Sequence, residues 1–219
     1  LLRGEVVDAD TGKPLGCRLY LQGADGKWYF PASVGGKSVE YKREPSPKLV
    51  EMHTCLTAHP FQIALQPGQY TVTVEHGKEY VPTTIRFTHS ATTSPKLRIP
   101  LQRWIDMPSR GWYSSDTHAH RPPDEMTTLQ VADDVNVGFP LTFWVTKAGL
   151  APAQGDKNMP VSVTPKPVYT DPTHVYWPLN TEYELFSVND KPHTLGAVFA
   201  LNHKAPIQHG IPPTTAAAQ

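Results

Sequence analysis

Two cysteines among 219 residues are too few for a disulfide framework. Cys17 and Cys55 leave open either one disulfide in an oxidising compartment or two buried thiols, and with a single pair available buried thiols are the expectation. No apolar run is long enough to span a bilayer, so no transmembrane segment is expected. The opening LLRGEVVDAD lacks the basic segment and apolar stretch of a secretory leader. An extracytoplasmic location, periplasmic or secreted, is expected, with any leader removed ahead of this numbering. An excess of one charge is also missing: 20 Lys and Arg balance 20 Asp and Glu. That balance gives no electrostatic reason to bind nucleic acid or an acidic membrane. Gly-x-Ser-x-Gly and phosphate-cradling glycine loops are absent, which removes support for a serine hydrolase or a nucleotide enzyme. There is no internal repeat and no low-complexity tract apart from the Ala-rich end.

What is present is proline, 23 residues of it, which favours short strands and irregular loops over long helices. The length suits one large domain or two modest ones. Residues 1–103 read as all-β. Residues 17–22 (CRLYLQ) alternate apolar and polar side chains, and residues 61–65 and 70–75 flank a Gln-Pro-Gly-Gln turn. Further strands are expected at 3–7, 28–30, 83–88 and 96–101, and residues 35–47 read as a long polar loop. Short strands at this spacing predict a β-sandwich. His53, His59, His76 and His89 read as structural or surface residues. Residues 104–110 (WIDMPSR) form a linker.

The stretch GWYSSDTHAH, residues 111–120, holds an Asp-x-His-x-His run of Asp116, His118 and His120. On a strand, alternate side chains share a face and residues two apart are about 6.5 Å apart, so both imidazoles can reach one ion. On a helix they would diverge. Asp116 suits a carboxylate that orients a metal-bound imidazole. Beyond it, residues 125–135 predict one short helix, 141–145 a buried strand, 147–171 a long loop and 173–186 an aromatic strand. Residues 195–201 (LGAVFAL) predict a buried parallel strand leading to His203. Histidine with carboxylate suits zinc first, with manganese or iron as alternatives. Such an ion lowers the pKa of a bound water and polarises the bond under attack. The expected reaction is hydrolysis of a small-molecule ester, amide, carbamate or phosphoester by a metal-bound hydroxide. The alternative is a non-catalytic extracytoplasmic binding module, for which Trp28, Tyr29 and Phe30 would form an exposed aromatic patch.

Two resemblances follow from these motifs. GEVVDADTGKPLGCRLYL with LQPGQYTVTVEHGKEYVP resembles the carboxypeptidase-regulatory-like, transthyretin-type sandwich, which implies an accessory β-domain over 1–103. GWYSSDTHAH, ADDVNVGFPLTFW, LNTEYELF and HTLGAVFALNHK resemble the PHP metallohydrolases, nearest to the branch of the carbaryl-type amide and ester hydrolases. That likeness implies that residues 111–219 form the N-terminal part of an α/β (β/α) barrel, truncated because a whole barrel needs roughly 200 residues or more. It implies His118 and His120 as metal ligands with Asp116 behind them, and Glu182 or Glu184 as a later acidic ligand. It implies His193 or His203 as a further ligand, with His203 also a candidate proton carrier. The Thr-Asp-His of that family's second strand is replaced here by residues 142–146 (TFWVT), which hold neither acid nor imidazole.

Overall fold

The computed structural model describes residues 1–46, 49–92, 95–145, 163–184, 187–188, 191–192 and 196–205. The chain divides into two compact units, one made of Leu1–Tyr113 with Thr128–Val135, the other of Ser114–Thr127 with residues from Asn136 onward.

The first unit carries β1 (Leu2–Asp8), β2 (Cys17–Gly23), β3 (Trp28–Tyr29), β4 (Ala32–Ser33), β5 (Ser38–Ser46), β6 (Leu49–Leu56), β7 (Phe61–Ile63), β8 (Gly68–Glu75), β9 (Thr83–His89) and β10 (Lys96–Leu101). They form two sheets, ordered β10-β1-β7-β4 and β5-β6-β2-β8-β9, with β3 added beside β2. Alternation makes each sheet one-sided. Burial along β2 switches at every residue, and β10 buries Leu97, Ile99 and Leu101 between exposed neighbours. Leu2, Val6, Phe61 and the three β10 residues meet Cys17, Leu19, Leu21, Leu56, Val72 and Val74 in one core drawn from both sheets. Residues 38–46 depart from the expected loop and are strand β5, paired with β6 from Ser38↔Leu56 to Ser46↔Leu49. Val39 is the one fully buried side chain of β5, so the strand rests on backbone pairing and shows no alternation to read.

Register settles the cysteines. Cys17 lies opposite Leu56, whereas Arg18 lies opposite Cys55. Directly paired residues share a face and successive residues alternate, so the two thiols stand on opposite faces of the sheet. Both are buried thiols outside any disulfide, and burial, with Cys55 nearby, pushes the Cys17 thiol well above its ordinary value. Arg18, on the Cys55 face, pairs with Asp133 through both nitrogens of its fork, Nη2 to Oδ2 at 2.7 Å. The aromatic stretch 28–30 is half-buried and not an open patch. Tyr29 meets Tyr70 edge-on at 5.4 Å, and Lys42 lies 4.4 Å above the Phe30 ring.

Asp8 closes the first turn. Its Oδ1 accepts the backbone N–H groups of Asp10 and Thr11 and the Thr11 hydroxyl, and its Oδ2 accepts the buried Tyr80 hydroxyl at 2.8 Å. Burial raises the Asp8 pKa, but the Thr11, Tyr80 and Asp10 donors outweigh it and hold the carboxyl below its ordinary value. A depressed folded-state pKa contributes stability that is complete above the unfolded value, about 3.9, and is lost as pH falls through the folded value. Tyr80→Phe removes one donor and leaves Oδ2 short of a partner. The expected cost at neutral pH is about 1–2 kcal/mol, together with a shallower loss of stability below pH ~4. Urea unfolding from pH 3 to 7 measures both.

The second unit carries β11 (Ser115–Ala119), the start of helix α1 (Pro123–Asp133), β12 (Val137–Pro140), β13 (Phe143–Val145), β14 (Val168–Asp171), β15 (His174–Tyr176), β16 (Thr181–Tyr183), the short β17 (Ser187–Val188) and β18 (Lys191–Pro192), and β19 (Val198–Ala200). Here the structure overturns the expected barrel. Among the described residues α1 is the only α-helix, and the strands lie in separate small sheets, β11-β12-β15-β14, β13-β16-β19 and β17-β18. Neighbours β11, β12 and β15 are parallel, as are β13 and β16, but β14 and β19 run antiparallel to theirs. A barrel of this kind needs a helix between successive parallel strands, and such a crossover takes a dozen or more residues. The parallel neighbours β11 and β12 are joined through α1, but no helix among the described residues lies between β12 and β15 or between β13 and β16. The apolar run near residue 198 is correspondingly half-buried and antiparallel, not a buried parallel strand.

Candidate metal centre

His118 lies in β11 and His120 one residue past its end. The pairing of β11 with β12 shifts between Asp116 and Ala119, and such an irregularity re-aims side chains. The two rings converge with Nε2 atoms 2.9 Å apart and centroids 4.8 Å apart. Glu182 sits at the middle of β16, between Trp144 of β13 and Phe199 of β19. Its side chain is 2% exposed, and its carboxylate oxygens lie 3.5 Å from Nε2 of His118 and 3.1 Å from Nε2 of His120. The Phe199 ring packs 4.5 Å from that of His118 and backs it.

These spacings are compatible with a shared metal ion. With metal–nitrogen bonds of about 2.0–2.1 Å, two ligand atoms lie about 2.9 Å apart at a right angle and about 3.4 Å apart at the tetrahedral angle. The two imidazole nitrogens, and His120 Nε2 with Glu182 Oε2, fall in that range; His118 Nε2 lies 3.5 Å from the other oxygen, Oε1, and one ligand atom from each residue lies within 4.8 Å of the others. His118, His120 and Glu182 can therefore hold a metal ion. The set is graded in exposure, since the His118 side chain is 50% exposed and Glu182 is closed off. Among the described residues the group has three members, and it is open on the His118 side.

The other candidates fall elsewhere. Asp116 is exposed, and its Oδ1 accepts the backbone N–H of His118 at 2.9 Å, a bond to main chain and not to an imidazole. His203 is half-buried, and its Nε2 lies 2.8 Å from the Thr181 hydroxyl. Thr181 and Glu182 are successive strand residues on opposite faces, so His203 is held on the face of β16 away from the cluster. Burial lowers its pKa, so it is neutral over more of the physiological range. Glu184 donates its backbone N–H to Val145 O and is outside the ligand group. His193 lies outside the described residues.

The residues around the ligands carry no motif. Trp144 and Phe199 flank Glu182 through strand register alone, and Asn180 is buried two residues ahead of it. His174 forms a separate pair with Asp171, Nδ1 to Oδ2 at 2.8 Å, across the β14–β15 turn. Asp171-Pro-Thr-His174 was the available signal for that pair. Among the described residues no helix is long and apolar enough to cross a membrane.

No protein-family model matches the chain, and no curated protein matches it. Fold and site together define a class: a two-unit β-rich protein with a two-histidine, one-carboxylate group at the junction of two small sheets.

Proposed function

We propose that the chain is a divalent-metal-dependent hydrolase acting on a small-molecule ester, amide, carbamate or phosphoester. His118, His120 and Glu182 are its protein ligands and zinc its first candidate metal. The observation that carries this reading is the convergence of two imidazole nitrogens and a buried carboxylate at coordination spacing, open on the His118 side. Two neutral imidazoles and one carboxylate contribute a single negative charge, which leaves a bound divalent ion net positive. Such an ion polarises the bond under attack and brings the pKa of water beside it toward 7. Glu182, closed off by its neighbours, fixes one side of the site, and the exposed edge of His118 marks the side where substrate enters. The likeness of GWYSSDTHAH to the PHP metallohydrolases supports the hydrolytic reading at the level of the site, without their barrel.

Protein purified without added ions should contain about one divalent ion per chain by elemental analysis. It should hydrolyse p-nitrophenyl esters or phosphates, lose that activity to a chelator and regain it with zinc. His118→Ala should lower metal content and activity together, by about 100-fold in rate or more if the ion supplies the several kcal/mol usual for such sites. A metal-free preparation that binds none on addition ends the proposal. Bound metal without turnover on these probes reduces the site to storage or structure.

A further inference from the structure

The His pair and Glu182 belong to different sheets, so something must set the gap between them. We infer that Asn180 is the positioning residue that does so, an inference that rests on the metal-centre reading above. Asn180 is fully buried. Its Nδ2 donates to Pro140 O at 2.8 Å and to Trp177 O at 2.6 Å, and its Oδ1 accepts the Asn202 N–H at 2.8 Å. Both amide hydrogens are used; the Trp177 bond closes Asn180's own link, and the other two reach two distant segments.

The Pro140 bond matters most. Pro140 ends β12 and is the register partner of Ala119, the residue between His118 and His120. The next backbone N–H, of Leu141, donates to Ala119 O at 2.9 Å. One side chain therefore joins the backbone that carries Glu182, two residues along, to the backbone that carries both imidazoles. The main chain of Asn180 strengthens the joint, since its carbonyl accepts the Thr142 and Phe143 N–H groups at 3.2 and 3.1 Å. The Asn202 bond adds the turn before His203, where Asn202 holds a left-handed φ of 54°. Ligand spacing tolerates little error, because metal–ligand distances are fixed within about 0.2 Å. A short, fully hydrogen-bonded amide with few rotamers meets that requirement where a long flexible side chain would not.

The test measures Co²⁺ binding to the full chain by equilibrium dialysis and by the visible spectrum of the bound ion, which reports coordination geometry. Asn180→Ala removes the joint, and Asn180→Asp keeps its outline while turning an oxygen toward Pro140 O and Trp177 O. Both should bind Co²⁺ about 10–100-fold more weakly, with an altered spectrum, while circular dichroism stays that of the wild type. Folded variants that bind Co²⁺ with wild-type affinity and spectrum overturn the inference. If neither folds, the exposed Asn202 decides. Asn202→Pro deletes the N–H that clamps Oδ1 and, because its ring fixes φ near about −65°, also undoes the left-handed turn that aims it, so it should weaken binding, whereas Asn202→Gly keeps both and should not. Equal Co²⁺ affinity in those two variants also overturns it. Failure of the wild type to bind Co²⁺ is a different result, and it ends the metal-centre reading itself.

Discussion

Glu182→Gln should abolish the stabilisation that added zinc confers while leaving the metal-free protein as stable as before, or more so. Glutamine keeps the outline of glutamate, so packing between Trp144 and Phe199 is retained. What changes is the charge. A carboxylate 2% exposed is costly to desolvate, and the neutral amide removes that cost. With an ion the sign reverses. A ligand at 100 times its Kd stabilises the folded state by about 2.7 kcal/mol, which for a chain of this size corresponds to roughly 5–10 °C in Tm. Thermal unfolding with and without zinc, in wild type and Glu182→Gln, separates the two effects. A zinc-induced shift that survives in the variant would place the ion elsewhere. A large fall in the metal-free Tm would make Glu182 a structural residue.

Gly4→Ala should destabilise the sandwich by about 1–3 kcal/mol, the cost of overpacking a closed core. In an ordinary strand the same change should help, because glycine is the worse residue there by about 0.5–1 kcal/mol. The sign is inverted by one neighbour. Gly4 on β1 lies opposite Phe61 on β7, and the Phe61 ring occupies the space that a Cβ on Gly4 would take. The ring is 1% exposed within the shared core, so it has nowhere to retreat. Phe61→Ala alone should cost about 3–5 kcal/mol. In that background Gly4→Ala should cost nothing or add stability, giving a coupling on the order of 1–3 kcal/mol between the two positions. A double-mutant cycle by urea unfolding reads this directly, and additive effects would contradict it.

The strands that could be read in advance are those whose side chains sort by face. Residues 17–22 and 70–75 alternate because one side meets the core and the other does not. β5 gave no such signal, since most of its side chains are exposed on both faces and pairing with β6 holds it. The barrel expectation failed for a related reason. Residues 141–145 and 195–201 are apolar, but apolarity does not say which neighbour a strand takes or in which direction. With α1 the one α-helix among the described residues and the strands split into separate small sheets, the helices that a barrel requires are not found there.

At the candidate centre the chain itself determined the histidine pair: two imidazoles two positions apart share a face wherever the backbone is extended. It did not decide between Glu182 and Glu184, because the same alternation puts both on one face. Only the tertiary structure chose, by seating β16 between β13 and β19 so that Glu182 is buried opposite the imidazoles. Asn180 was equally invisible, since its distant partners Pro140 and Asn202 come from two segments with no pattern in common. Local chemistry is written residue by residue along the chain, whereas convergence depends on which strands come to lie side by side, and many pairings satisfy the same hydrophobic pattern.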